Sequence, residues 1–473
     1  MRFLSFLSII MPLLLFSSPL VNSLDASTIL NCLEAGEALP GFFPFPSHAK
    51  ESRLSLDVSP LVYFGDDFGK TKVGWFVIAD PPWENAYLYE RTPPMLNVKL
   101  EWNLKRVSLY TEFALKNNYN FFYQSFATNV PPIWEAHLEG ADLNFPYTAY
   151  LLYDDEDFYV VVGRSKTRWG SSDFPVALSD VSPCFNHFTF STRGMFAYTF
   201  QIVSINPVLT KAEWEKQTSL VPVNADPTSP YTEKVKTLVT HRLDVSPLRS
   251  LRIGFGELTM VGGKVPDLFS ISPLAIWHNN YNEGYTNTMF SVDFSWVPFR
   301  GFELHGEFVL DDLVGKTELG EKPTAYAFNV GVRKGVDTPL GKVLLGIEFA
   351  KANEFVYNTF LPYLKFYNRI VYVTNHPQSR TIVDYPIGFA FGPDASALNF
   401  SLDFIGKDLT LCLDVCHLSK GPNTFHTEYP RREEGETKSY WSASLKGKYR
   451  WLLFSVEKHA ESLMLGVGFS HGF

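Results

Sequence analysis

One pattern runs through most of the sequence: apolar and polar residues alternate over runs of about nine or ten positions, the length of a tilted strand that crosses a bilayer. In residues 290–296 every second side chain is apolar, and Ser291, Asp293 and Ser295 occupy the positions between them. Successive side chains of a β-strand point to opposite faces, so each run predicts a strand with one apolar and one polar face. The same period of two recurs in residues 96–104, 326–333, 398–404, 441–450 and 463–469.

A soluble β-sandwich and a transmembrane β-barrel both contain alternating strands, and two further features favour the barrel. Tryptophans mark strand ends, as in the aromatic girdles of a barrel at the membrane interfaces; they are Trp102, Trp296, Trp441 and Trp451. Short connections at 405–408 and near Gly447 alternate with long ones at 375–397 and 417–438, and only the short hairpin at 459–462 departs from this rule. We therefore predict an all-β fold, a transmembrane antiparallel β-barrel.

The N-terminus predicts export from the cytoplasm. Met1 and Arg2 precede an almost wholly apolar run over residues 3–15, and the small residue Ser23 offers a cleavage position. This arrangement is typical of a signal peptide, which we place at residues 1–23. Residues 24–52 then form a short periplasmic segment with one helix, and residues 53–473 form the barrel. The predicted location is the outer membrane, with its lipid as a partner.

The last strand carries a predicted assembly signal. Leu463, Leu465, Val467 and Phe469 alternate with small residues, and the chain ends on Phe473. A terminal apolar strand that closes on phenylalanine resembles the signal read by the barrel assembly machinery of outer membranes. That machinery is therefore a second predicted partner, with Phe469 and Phe473 as the residues it would recognise.

Removing Phe473 should impair assembly and leave the stability of the folded barrel nearly unchanged, because the residue follows the last strand and serves recognition. In cells the truncated chain should accumulate in the periplasm or be degraded. Cell fractionation with immunoblotting measures this outcome. Wild-type amounts of truncated protein in the outer membrane would contradict the assembly role.

Several other classes of protein are excluded. A net charge of -9 argues against a nucleic-acid partner, because phosphate binding needs a basic face. Four cysteines are too few for a disulfide framework, and Cys412 and Cys416 would lie about 13 Å apart on a strand, too far to share a metal ion or a disulfide. We find no catalytic motif and predict no enzyme activity, no cofactor and no metal site.

Three blocks of sequence resemble the Wzi family of capsule-assembly outer-membrane proteins. The first is Gly163-Arg164 with Arg168-Trp169-Gly170, the second runs from His241-Arg242-Leu243 through Glu257 to Asp311-Asp312, and the third is Ile387-Gly388 with Gly392-Pro393-Asp394. The resemblance implies an outer-membrane barrel of about eighteen strands and a lectin-like role in anchoring surface polysaccharide. The residues it singles out for polysaccharide binding are Arg164, Arg168, Trp169, His241, Arg242, Glu257, Asp311 and Asp312. Arginine and aromatic rings suit acidic sugars, although pairing of inward charges across the lumen is the other interpretation.

Two further function classes remain open from the sequence. The same alternation fits a porin-like diffusion channel for small solutes or sugars, and a secreted glycan-binding or glycan-cleaving protein is a weaker third option. Asp311 and Asp312 are adjacent on a strand and point to opposite faces, so they do not form the carboxylate pair of a glycosidase. The binding interpretation predicts a lumen closed by long side chains and by infolded loops such as 375–397. The porin interpretation predicts an open, water-filled lumen.

Overall fold

The computed structural model describes part of the 473-residue chain, and the statements below concern that part. The described residues are 25–43, 53–65, 77–78, 89, 92, 94–119, 127–131, 140–142, 144, 146–219, 232–266, 271–272, 286–313, 323–373, 380–459, 462–469 and 471–472. The predicted signal peptide and Phe473 lie outside them.

Eighteen strands among the described residues form one antiparallel sheet in which each strand pairs with the next along the chain. The last, Ser462–Phe469, pairs with the first, Arg53–Gly65, so the sheet closes into a barrel. The strands between them are Leu96–Leu104, Val107–Leu115, Thr148–Asp154, Phe158–Ser165, Phe185–Thr192, Phe196–Ile205, Lys236–Leu248, Leu251–Gly262, Thr286–Phe299, Phe302–Asp312, Ala325–Thr338, Gly341–Ala352, Ala395–Gly406, Leu409–Lys420, Lys438–Tyr449 and Leu452–His459. The predicted antiparallel barrel is confirmed.

Several smaller elements do not form part of the barrel wall or add only short pairings to it. The helices are Ala26–Ala35, here called the N-terminal helix, and Lys211–Ser219; the turn Pro362–Leu364 is 3-10. Phe42–Phe43 pairs with Arg168–Trp169. The strands Tyr367–Val373 and Arg380–Pro386 form a hairpin, here called the outer hairpin, which pairs with Val77–Ile78. Ala127–Thr128 and His471–Gly472 add short pairings to the first barrel strand. No helix in the described residues combines the length and apolarity that a membrane crossing requires.

The apolar phase of the strands faces outward. Val292 is 44% exposed, and Phe290, Phe294 and Trp296 on the same face are also exposed, whereas Ser291 and Asp293 are buried. Trp102, Trp441 and Trp451 are exposed near strand ends, and the Phe469 ring stacks on Trp451 with centroids 5.2 Å apart. A closed sheet with an apolar outer belt and aromatic residues at its margins is an outer-membrane barrel, and the protein lies in that membrane.

Short turns and long connections lie at opposite ends of the barrel. The turns after Leu104, Asp154, Thr192, Leu248, Phe299, Thr338, Gly406 and Tyr449 are all short. Short turns face the periplasm in bacterial outer-membrane barrels, which makes the other end extracellular. The prediction of a single long loop over 375–397 is wrong, because Arg380–Pro386 is a strand of the outer hairpin and the wall resumes at Ala395. Thr381, Ile382 and Val383 are β-branched, which favours a strand there.

Candidate functional site

Two clusters of buried charges lie in the lumen. In the first, Arg242 contacts Asp293 at 2.6 Å and Asp244 at 2.7 Å, and Arg252 contacts the same two carboxylates at 2.7 and 2.8 Å. Each arginine therefore meets two carboxylates and each carboxylate two arginines, so the four charges cancel. Buried ions need such complete pairing, because an unpartnered charge in the interior is strongly destabilising.

The second cluster centres on Arg333. Its guanidinium contacts Glu303 at 3.0 Å and Asp173 at 2.8 Å, and His305 Nε2 lies 2.9 Å from Glu348. Four of these residues belong to wall strands, whereas Asp173 belongs to a loop. The cluster therefore ties that loop to the inner wall of the barrel.

The N-terminal helix packs against the inner wall at the periplasmic end of the barrel. The Asp25 carboxylate accepts from the Thr28 backbone N–H at 3.1 Å and caps the helix, which ends at Gly36 in the left-handed conformation. Its buried residues Ile29, Leu30 and Leu33 pack in one apolar cluster with inward residues near the short turns, Val297 and Leu344. The part of the predicted periplasmic segment 24–52 that the structure describes thus begins inside the mouth of the barrel.

The chain then continues upward inside the lumen. Arg252 donates from Nε to the Leu39 carbonyl at 2.8 Å, and the Leu39 N–H donates to Ser295 Oγ at 3.0 Å. Gly41 passes so close to Arg242 and Asp244 that a β-carbon would collide with both. The first charge cluster therefore holds the N-terminal chain against the wall.

A loop between wall strands folds into the middle of the lumen; residues 166–184 are called the infolded segment here. Glu307 accepts from the Val176 N–H at 2.6 Å, and Glu348 accepts from the Asp173 and Phe174 N–H groups, each at 2.8 Å. Hydrogen bonds of backbone N–H groups to a carboxylate are stronger than neutral ones. Two inward glutamates thus fix the backbone of the infolded segment.

The connection 353–394 covers the infolded segment from the extracellular side. Ser179 N–H donates to the Ile387 carbonyl at 2.7 Å, and Tyr357 Oη donates to the Val176 carbonyl at 2.5 Å. The rings of Phe174 and Phe389 meet edge to face at 5.9 Å within a large apolar cluster that includes inward residues of the wall. This part of the lumen is packed like the interior of a soluble domain.

Three extracellular connections join above this core. Arg369 of the outer hairpin contacts Glu213 of the helix Lys211–Ser219 and Asp384 of the hairpin, each at 2.7 Å, and His426 lies 3.1 Å from Asp384. Burial opposes ionisation of Asp384, yet the Arg369 guanidinium outweighs it and holds the pKa of this carboxyl well below its usual range. Burial lowers the pKa of Lys365 nearby to about 8. The cluster fixes the outer connections to one another.

One sector of the lumen is different. The inward residues of Leu96–Leu104 and Val107–Leu115 form a polar strip, which consists of Asn97, Lys99, Glu101, Asn103, Ser108, Tyr110 and Glu112. Lys99 Nζ lies 3.9 Å from Glu112 Oε1, and these side chains are 18% and 17% exposed although they face inward. Asn97 donates to Glu112 at 2.6 Å and Asn103 donates to Glu101 at 2.9 Å. Water therefore reaches this sector.

The polar strip runs along most of the wall. From Asn97 to Asn103 it covers roughly 20 Å at the rise of an antiparallel strand. Its charged members are one lysine and two glutamates, only partly paired, in contrast to the closed clusters around Arg242 and Arg333. The strip is the candidate functional site. The alternation that places these residues on the inward face is visible in the sequence. Their partial exposure to solvent is not, because it depends on which other residues fill the lumen.

The structure does not bring the eight predicted polysaccharide-binding residues together. Arg242 belongs to the first charge cluster, and its guanidinium lies 5.3 Å from the ring centroid of Trp169, which is fully buried against Gly256. Arg168 is buried 3.6 Å from Asp180. These three residues pack the lumen and present no surface to a polymer.

The other five predicted residues are scattered. His241 and Glu257 lie on the outward face of the wall, yet both are buried, and His241 Nδ1 is 2.7 Å from Tyr198 Oη. Asp311 accepts from the Tyr357 N–H at 2.7 Å and Asp312 from Tyr429 Oη at 2.9 Å, so both hold extracellular connections in place. Arg164 is the exception: it lies half-buried on the outward face near the extracellular rim.

Comparison with known proteins gives matches to solved structures alone. No family model and no curated protein matches the chain. Three similar solved structures come from Pseudomonas aeruginosa. OccK5 (OpdH) is 10% identical and has a TM-score of 0.41, and the match covers 90% of this chain and 100% of that chain. OccK10 (OpdN) and the outer membrane protein opdK are each 9% identical, with 89% of this chain and 99% of that chain covered, and their TM-scores are 0.44 and 0.39. Likeness at this level carries no argument about solutes or partners.

The predicted resemblance to the Wzi family is wrong. The similar solved structures named above are OccK proteins, OccD proteins are among the further matches, and no sequence match supports the capsule-assembly family. The main functional prediction, polysaccharide anchoring in capsule assembly, is wrong with it; the porin alternative is the better supported one. The physical reason is that Arg168, Trp169 and Arg242 are engaged in ion pairs and aromatic contacts inside the lumen. Asp311 and Asp312 anchor extracellular connections, and the remaining three residues lie on the outward face.

Proposed function

We propose that the protein is a narrow porin-like channel through which small polar solutes cross the outer membrane. The observation that carries this proposal is the polar strip: charged and hydrogen-bonding side chains face inward and follow one another along the wall, and all of them except the buried Asn97 and Asn103 are partly exposed. A solute that leaves water there meets groups that replace part of its hydration. The packed remainder of the lumen limits the passage to small solutes.

The proposal concerns transport and assigns the chain no enzymatic role. Its partners are the solute, the lipid of the outer membrane and the barrel assembly machinery. The lysine and the two glutamates of the strip favour polar over apolar solutes, because an apolar molecule would leave these groups unhydrated.

Replacing Ser108 by tryptophan should lower the conductance several-fold. Ser108 is inward and half-buried, and it donates a hydrogen bond to Asn103 within the strip. A bulky ring there would narrow the passage and displace its water. Single-channel recording in planar bilayers, together with swelling of liposomes in small sugars, measures the effect.

Ser439→Trp is the matched control. Ser439 is exposed on the outward face near the extracellular end of Lys438–Tyr449, so the same ring should leave conductance unchanged. The proposal fails if the folded wild-type barrel conducts no ions and admits no small sugar. It also fails if currents persist undiminished in the Ser108 variant, since the strip would then not be the route.

A further inference from the structure

A groove of about 300 Å³ lies at the extracellular rim of the barrel. One side is formed by Arg164, Asn186 and Ser204, which come from three adjacent strands and share the outward face. Residues of the outer hairpin, among them Asn368 and Ile370, line the opposite side. The groove thus lies where the outward face of the wall meets the extracellular connections.

The register of these strands places the membrane boundary at the groove. Arg164, Asn186 and Ser204 pair across the sheet in one polar row. An apolar row lies two residues nearer the periplasm, where Phe188 pairs with Val162 on one side and with Ile202 on the other. On this outward face the side chain of Val162 is 48% exposed and that of Phe188 is 39% exposed. The apolar row lies roughly 7 Å below the polar row, by the rise of a strand. Lipid chains against the apolar row therefore end at Arg164.

Arg164 is a positively charged residue of the groove whose guanidinium can still donate a hydrogen bond. It donates from Nε to Asn186 at 2.8 Å and from Nη1 to the Pro146 carbonyl at 3.4 Å, which leaves Nη2 available within the described part of the chain. Arg369 also lines the groove, but Glu213 and Asp384 engage its guanidinium. The lining carboxylate, Asp142, accepts from Tyr89 Oη at 2.9 Å and from the Asn144 N–H at 3.0 Å.

We propose that this groove binds the phosphate-bearing headgroup of an outer-leaflet lipid. Arg164 is the phosphate ligand, Asn186 orients its guanidinium, and the acyl chains lie against Val162 and Phe188. Arginine suits this role because a hydrogen bond from a charged guanidinium N–H, here at Nη2, to a phosphate oxygen is stronger than a neutral one. The amide and hydroxyl groups of Asn186 and Ser204 supply further donors for the rest of the headgroup. The site is independent of the channel proposed above.

Native mass spectrometry of the purified full-length barrel tests this assignment. The probes are dioleoyl phosphatidic acid, dioleoylglycerol with the same chains and no phosphate, and inorganic phosphate. We expect one tightly retained phosphatidic acid. Arg164→Ala should weaken retention about tenfold, the loss of one charge-assisted contact, and Arg164→Lys should restore part of it. Arg450→Ala, on an exposed periplasmic turn, is the matched control and should retain the lipid like the wild type.

Three results would overturn the proposal. Equal retention of phosphatidic acid by the wild type and Arg164→Ala would remove Arg164 as the ligand. Equal retention of dioleoylglycerol would show that acyl contacts alone hold the lipid. Displacement of phosphatidic acid by inorganic phosphate at similar concentration would assign the groove to a free anion. Unchanged heat-modifiable migration of each variant in gel electrophoresis confirms that the barrel is folded.

Discussion

Replacing Val292 by arginine should destabilise the barrel by about 2–4 kcal/mol, because the residue faces lipid at the centre of its strand. Val292 occupies the middle of Thr286–Phe299 and is 44% exposed on the outward face, between Phe290 and Phe294. A guanidinium there must either leave water or distort the bilayer. Urea titration of the barrel refolded in lipid vesicles, followed by tryptophan fluorescence, measures the change in the free energy of unfolding.

Val336→Arg is the matched control. Val336 is also exposed on the outward face, but it lies two residues before the end of Ala325–Thr338, next to a periplasmic turn. The cost there should fall to about 0–1 kcal/mol, because the side chain reaches the interface. Equal costs at the two positions would show that the apolar belt has been placed at the wrong height.

The alternation alone would also predict that Ser291→Arg is tolerated, since Ser291 faces the lumen. The structure reverses this expectation. Ser291 is buried next to Gly256, in a region that Trp169 fills, and an arginine has no room there. Tolerance of a polar substitution on the inward face therefore depends on the local filling of the lumen.

The double variant Glu307→Ala and Glu348→Ala should raise the conductance several-fold. These carboxylates accept from the backbone of the infolded segment at Val176, Asp173 and Phe174, and Glu348 also lies 2.9 Å from His305. Without them the segment loses these hydrogen bonds to the wall and keeps the contact of Asp173 with Arg333. A barrel of this strand number has an interior wide enough for an aqueous channel once its contents are displaced.

Planar-bilayer recording compares this variant with Glu428→Ala, a matched change at an exposed residue of an extracellular connection whose partner in the structure is Arg431. The control should conduct like the wild type. Wild-type conductance in the double variant, with the barrel folded, would mean that the Asp173–Arg333 ion pair and the apolar contacts of Phe174 and its neighbours are sufficient to hold the segment.

The wall of this barrel could be predicted from the sequence because the face of each strand residue depends only on its own position. Alternation over 290–296 or 463–469 is a local property, and together with the aromatic strand ends and the alternating connection lengths it predicts a barrel. The contents of the lumen could not be predicted in this way. Glu307 meets Val176 across 131 positions of sequence, and Arg252 meets Leu39 across 213.

The candidate site likewise has some features that the sequence predicts and others that it does not. His241 and Arg242 are neighbours on a strand and therefore face opposite sides of the wall, which already argues against one site that uses both. The inward phase of Lys99 and Glu101 is equally visible in the sequence. Their exposure to water cannot be predicted from the sequence, because it depends on the infolded segment lying against other strands.

The seam between Arg53–Gly65 and Ser462–Phe469 fixes an order of events during biogenesis. Val62 pairs there with Val467, residues about 400 positions apart, so the ring closes only after nearly all of the chain has been delivered. The N-terminal chain and the infolded segment lie inside that ring and pair with each other at Phe42 and Trp169. The N-terminal chain and the infolded segment must therefore enter the interior before the seam between the first and last strands forms.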